Sequence, residues 1–319
     1  MRPHRGSSHN DPASPARQLA GSAVAFCGLE LAHPVVNGSG TFDAIAARRA
    51  FGDALLQRFP FSAFVSKTIT LQPRAGNPPP RLWEAPAGMV NSIGLPNRGL
   101  AGYLEHDLPE LAALPVPLVT NVMGSTAAEL CALVEAVGER DEVDAIELNV
   151  SCPNVRTGLD LGADPATLAS VLSEVRPLTS KPLVVKLTPN TADMAAVAAA
   201  AQDAGADAVS LINTLRAFAP APGGGGPPGG AWLGGGTGGL SGPAVRAAAL
   251  AQVHAVAGRV EIPIVGMGGI QTAEHAAQFL AAGATLVAVG TESFRDPLVA
   301  ARVAEGLDHF LAKSRNITR

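Results

Sequence analysis

The sequence predicts a TIM-type (β/α)8 barrel, and three observations carry that prediction. Eight short apolar runs recur along the 319 residues. Each run stops at Gly, Asn, Ser, Thr, Lys or Pro, and most are followed by an Ala/Leu-rich helical stretch. The runs are continuously apolar rather than alternating, as suits parallel strands covered on both faces. Eight such units match the roughly 250 residues that the barrel takes up. A doubly wound open sheet is the runner-up, but it would show GxGxxG after its first strand, and that motif is absent there.

In order, the expected strands are 34–37, 63–67, 117–122, 145–150, 182–187, 208–213, 263–268 and 285–290. Helices are expected over 127–137, 165–175, 193–204, 243–257 and 273–282, with stop signals at Gly205 and Gly283. A single domain is expected over 23–313. The opening MRPHRGSSHNDPASPARQ has no apolar secretory core, so 1–22 reads as a disordered tail. Two Pro/Gly-rich stretches break the rhythm, 71–100 and 217–239. Both follow strands on their C-terminal side, where this fold keeps its active site.

Composition excludes several classes. Hydrophobic residues make up 47% and charged residues 16%, which fits a globular chain. A net charge of −4 without a basic stripe gives no reason to expect nucleic acid or an anionic membrane. No apolar run reaches the ~20 residues of a membrane helix. Cys27, Cys131 and Cys152 lie far apart with no CxxC pair, so no disulfide framework, zinc site or iron–sulfur site is encoded. The expected setting is a reducing cytoplasm, with no metal.

Gathered around one barrel mouth, the strand ends bring together Ser39, Lys67, Asn121, Asn149 with Cys152, Lys186, and Asn213-Thr214. Gly266-Met267-Gly268-Gly269 and Gly290-Thr291 follow the seventh and eighth strands. Glycine turns there form a phosphate cradle from backbone N–H groups, which implies a phosphorylated substrate or a cofactor such as FMN. Lys67 and Lys186 each end an apolar strand. They either snorkel to solvent or face a ligand that becomes anionic, such as a reduced flavin or a carboxylate. Asn91, Asn149 and Asn213 together suit a flat polar heterocycle, although any one asparagine is more often a turn residue. In ELNVSCPNV, Pro153 ends sheet pairing just after Cys152. That thiol is either inert and buried or held over a ligand. No histidine lies near it in sequence, so a Cys–His nucleophile is unsupported, while a thiolate acting as general base is open.

Five blocks, in order, resemble the class 1 dihydroorotate dehydrogenases. They are SKTITLQPRAGNPPPR, GMVNSIGLPNRG, IELNVSCPNV, VVKLTPN with LINT, and GGLSGPA through GMGG to AVGT. The resemblance covers nearly everything from Val35 to Ala304. It implies an FMN barrel that oxidises (S)-dihydroorotate to orotate in pyrimidine biosynthesis, with Cys152 as the base that removes the C5 proton while hydride leaves C6. It implies substrate contacts at Lys67, Asn91, Ser92, Ile93, Gly94, Leu95, Asn149, Asn213 and Thr214. FMN contacts are implied at Ser39, Lys67, Thr68, Asn121, Asn149, Lys186, Ile212 and Gly242, with Gly268, Gly269, Gly290 and Thr291 on the phosphate.

The GNPPPR and MVNSIGLPN wording is more similar to subclass 1B than to the fumarate-using 1A. A 1B chain is expected to form a homodimer and join a second subunit carrying FAD and a [2Fe–2S] cluster, giving a heterotetramer that reduces NAD. This chain has no cysteines for the cluster and would be the catalytic half. Two departures stand out: the loop before GGLSGPA is longer and almost uncharged, and NGSGT replaces the usual ASG wording. Other readings are a dihydropyrimidine dehydrogenase-like flavin barrel, a Schiff-base barrel using Lys186, and a non-catalytic phosphate-binding barrel.

Overall fold

The structure is a computed structural model that describes residues 23–150, 162–221 and 230–307. All eight expected strands form. They are β1 (Val35–Asn37), β2 (Phe64–Val65), β3 (Leu118–Val122), β4 (Ala145–Asn149), β5 (Leu183–Lys186), β6 (Ala208–Leu211), β7 (Ile264–Met267) and β8 (Leu286–Val289). They pair in parallel in the order β1-β8-β7-β6-β5-β4-β3-β2. Val, Leu, Ile and Ala fill their interiors because each strand is covered on both faces, which is why the runs do not alternate.

The seam between β1 and β2 is closed partly by a side chain. Asn37 Nδ2 donates to Val65 O (2.8 Å), and Asn37 Oδ1 accepts from Val65 N (2.7 Å). The amide thus stands in for a pair of ladder hydrogen bonds, and Ser62 N donates to Val35 O beside it. At the far end the interior is plugged by a hairpin of Val24–Phe26 and Leu29–Leu31, which turns at Cys27-Gly28. Its Leu29 packs on Val65, Val119 and Ala145. Nothing in the sequence reading anticipated this hairpin.

Helices Ala127–Gly138, Pro165–Val175, Met194–Asp203 and Ala273–Ala281 form close to their expected places. Each starts at an Asp or Thr whose side chain accepts a backbone N–H of the first turn: Thr126, Asp164, Asp193 and Thr272. Their apolar sides, such as Leu130, Leu133, Val134 and Val137, are buried in the core. The helix expected over 243–257 begins as a 3-10 turn, Pro243–Val245, and becomes α-helical over Arg246–Ala257.

The two Pro/Gly-rich excursions meet. Strands Leu82–Ala85 and Gly88–Asn91 form a hairpin, Gly238–Ser241 pairs with Gly88–Asn91, and Leu215–Ala217 pairs with Gly238–Ser241. Segments more than 100 residues apart in sequence therefore make one four-stranded antiparallel sheet at the C-terminal end of the barrel.

Candidate active site

The C-terminal ends of the strands and the four-stranded sheet enclose a cavity of about 380 Å³. That size lies within the range of small-ligand sites. After β1 comes Ser39, whose Oγ donates to Ser66 O (2.7 Å) and lies 3.3 Å from Thr68 Oγ1. From β2 come Lys67 and Thr68, from β4 Asn149, and from β5 Lys186. Ile212, Asn213 and Thr214 follow β6. The excursions contribute Asn91, Ile93, Gly94 and Leu95 on one side and Gly242 on the other. β7 and β8 add Gly268, Gly269, Gly290 and Thr291.

Two of the residues singled out from the sequence do not line this wall. Ser92 is fully buried, and its hydroxyl accepts from Asn77 Nδ2 (3.0 Å). Asn121 is also fully buried, next to β4 in the sheet. Cys152, with Pro153 and Asn154, lies outside the described residues.

Side chains dominate the β2–β6 end of the cavity. Lys186 is 6% exposed and forms no ion pair among the described residues. A buried cation is costly unless an opposite charge or acceptors meet it, so this position favours a ligand with negative charge. Asn149 Nδ2 reaches Thr68 Oγ1 (3.4 Å), and Asn213 Oδ1 accepts from Thr214 N (2.8 Å). Asn121 Nδ2 donates a short hydrogen bond to Glu147 Oε1 (2.5 Å), and Ser210 Oγ donates to Glu147 Oε2 (2.7 Å). Asn121 Oδ1, in contrast, is buried with no hydrogen-bond partner among the described residues. Glu147 escaped the sequence reading, although a carboxylate inside an otherwise apolar strand was a legible signal.

Glycine turns mark the β7–β8 end, where Gln271 and Glu292 also line the cavity. Gly268 and Gly269 have φ of 138° and 73°. Arg246 Nη1 donates to Gly269 O (3.1 Å) and contacts His275 Nδ1 (3.1 Å), to which Gln271 N also donates (3.4 Å). Arginine has only donors, so His275 Nδ1 must accept. Burial, and then the Arg246 charge, holds the His275 pKa below its ordinary value. Thr291 Oγ1 donates to Ser241 Oγ (2.8 Å), tying the β8 turn to the four-stranded sheet.

These features fit FMN, which joins a flat polar ring to a phosphate. The glycine turns suit the phosphate. The buried lysine suits a ring that gains negative charge, and the orphaned Asn121 oxygen suits a ring N–H. Among the described residues no three His, Cys, Asp or Glu side chains gather to hold a metal ion.

Comparison with known proteins identifies the family. The dihydroorotate dehydrogenase family model matches residues 22–311. A relative from Geotalea uraniireducens, named dihydroorotate dehydrogenase B (NAD(+)), catalytic subunit, is 42% identical over 92% of this chain and 93% of its own length. Relatives of the same name from Pelobacter propionicus and Bacillus pumilus are 43% and 42% identical. The first covers 90% of this chain and 92% of its own length, the second 91% of each.

Proposed function

The chain belongs to the dihydroorotate dehydrogenase family, flavin-dependent oxidoreductases acting on a CH–CH bond, and from that premise we propose the cofactor, the residue roles and the electron acceptor. The activity is oxidation of dihydroorotate to orotate in pyrimidine biosynthesis. The cofactor we propose is FMN, its phosphate on Gly268, Gly269, Gly290 and Thr291. The observation that carries this is Lys186, a buried ammonium with no anionic partner among the described residues, opening onto a cavity that ends in glycine turns. When bound, FMN supplies the acceptor for the hydride that leaves C6.

The chain's own residues do the rest. Cys152 is the general base for the C5 proton; its reference pKa is about 8.5, and cations close by favour the thiolate. Lys67, Asn91, Asn149, Asn213 and Thr214 hold the pyrimidine by its amide and carboxylate groups, with the 92–95 segment beside them. Lys186 meets the negative charge that develops on reduction. Ser39, Thr68, Ile212 and Gly242 complete the cofactor's surroundings.

Electrons then pass to NAD through a second subunit carrying FAD and [2Fe–2S], in a heterotetramer built on a homodimer. The names of the relatives, which give NAD(+) and a catalytic subunit, support the acceptor and a partner subunit. No helix among the described residues is long and apolar enough to cross a membrane, and the setting we propose is the cytoplasm.

One experiment tests the reading. The purified chain should bind FMN and turn yellow, bleach anaerobically with dihydroorotate, and reoxidise with NAD only once the partner subunit is added. Orotate should perturb the flavin spectrum far more than uracil. A colourless protein that takes up no FMN ends the flavin assignment, and rapid reoxidation by fumarate alone moves the chain to the other subclass.

A further inference from the structure

Beneath the cavity floor lies a three-residue chain, two of whose members, Glu147 and Ser210, have no part in the reaction as described. Ser210 on β6 donates to Glu147 on β4, and Glu147 accepts from Asn121 on β3. β5 lies between β4 and β6 in the sheet, so the Ser210–Glu147 bond skips a strand and runs through the barrel interior. Asn121 and Ser210 are fully buried and Glu147 is 4% exposed. Among the described residues no cation lies within ion-pairing distance of Glu147. In register, Asn121 sits opposite Glu147, and Asn149, two residues further along β4, sits opposite Lys186 on the cavity wall.

A carboxylate only accepts hydrogen bonds, whereas an amide has one donating and one accepting end. Asn121 must therefore turn its NH2 towards Glu147, which commits Oδ1 to the opposite direction. That oxygen is the one buried and without a partner among the described residues. Leaving a buried acceptor unmet is unfavourable, so the arrangement makes sense when a donor arrives from outside the chain. Resting on the FMN reading above, we propose that Glu147 is a positioning residue: secured by Ser210, it locks the Asn121 amide so that Oδ1 is offered to an N–H of the flavin ring. Cofactor binding and reduction tendency are thereby tuned from beneath by a residue that does not line the cavity.

The test uses full-length protein stripped of flavin and reloaded with FMN, as wild type, Glu147→Gln, Glu147→Asp and Ser210→Ala. Glutamine can present either end of its own amide, so Asn121 loses its fixed orientation. FMN affinity by fluorescence quenching should fall roughly tenfold in Glu147→Gln. The flavin midpoint potential should move positive, because an acceptor held against a ring N–H disfavours the negative charge that reduction adds. Glu147→Asp keeps the acceptor and should stay near wild type in both readouts. Ser210→Ala removes only the support and should shift them in the same direction by less. A merely structural role would lower melting temperature and leave the potential alone, and that result overturns the proposal. Wild-type apoprotein that takes up no FMN overturns the flavin reading and this proposal together. Normal uptake by wild type with unchanged affinity and potential in Glu147→Gln overturns this proposal alone.

Discussion

At the β7–β8 end of the cavity, Gly268, Gly269 and Gly290 present main chain. At the β2–β6 end the wall is made by Lys67, Asn149, Lys186 and Asn213. On the reading proposed above, the two ends recognise different things by different means. Backbone N–H groups are fixed in number and direction, cannot lose a proton at neutral pH, and suit a phosphate that stays unchanged through turnover. Side chains can carry charge, titrate and be oriented by neighbours, as Asn121 is by Glu147, and they suit a ring whose charge changes during the reaction. If one end anchors and the other reacts, as proposed, substitutions at the two ends should separate binding from turnover.

The sharpest separation is expected at Cys152. Cys152→Ala should reduce turnover by roughly 10²–10⁴-fold, the usual contribution of a general base, while FMN stays bound. In the wild type, with the chemical step limiting, turnover should rise with pH toward thiolate formation. Stopped-flow reduction by dihydroorotate measures both, and an alanine variant of full activity would remove Cys152 from the role.

At the anchoring end the effect should reverse, with binding lost ahead of chemistry. Gly269 has φ +73°, and a Cβ there would come within 2.7 Å of Gly242 O. Gly269→Ala should cost about 1–3 kcal/mol in backbone strain alone, visible as a lower melting temperature and weaker FMN uptake. Gly290 sharpens the contrast within the same end. Its φ is −117°, and an added Cβ would meet nothing closer than Thr41 Cγ2 at 3.7 Å. Gly290→Ala should therefore cost the apoprotein less than Gly269→Ala, as denaturant titration would show. Equal losses would mean that the two turns are not built differently.

The smallest effect is a pH dependence confined to the anchoring end. The folded-state pKa of His275 lies below the ordinary value of 6.5, so on acidification the unfolded chain takes up its proton first. The associated stability is fully present above pH 6.5 and is lost as pH falls through the folded pKa. Protonating Nδ1 also ends its contacts with Arg246 and Gln271, and Arg246 is the residue that grips Gly269 O. Weaker FMN binding below pH 6.5 is the expected result, and His275→Asn should flatten that dependence.

The barrel was legible because burial on both faces demands continuous apolar runs, and each run of the sequence became a strand. The glycine turns were legible for a related reason. At Gly268 and Gly269 the backbone takes conformations that favour glycine, so residue type reports geometry directly. The family's blocks placed Lys67, Asn149, Lys186 and Asn213 at strand ends, and folding brought all four to one cavity.

Other features depend on partners far away in the chain. The hairpin of Val24–Phe26 and Leu29–Leu31 has meaning only as a plug on Val65, Val119 and Ala145. The pairing of the two Pro/Gly-rich excursions is set by where the barrel delivers their ends. Glu147 was visible as a misplaced charge, but its role depends on which donors the neighbouring strands present at its level. By itself the sequence determined the eight-unit barrel, the glycine turns and the chemistry available at the mouth, because local geometry and burial leave their marks in residue type. Only the tertiary structure decided which amide faces which carboxylate and which oxygen is left for a ligand, because hydrogen-bond direction is fixed by strand register and not by order along the chain.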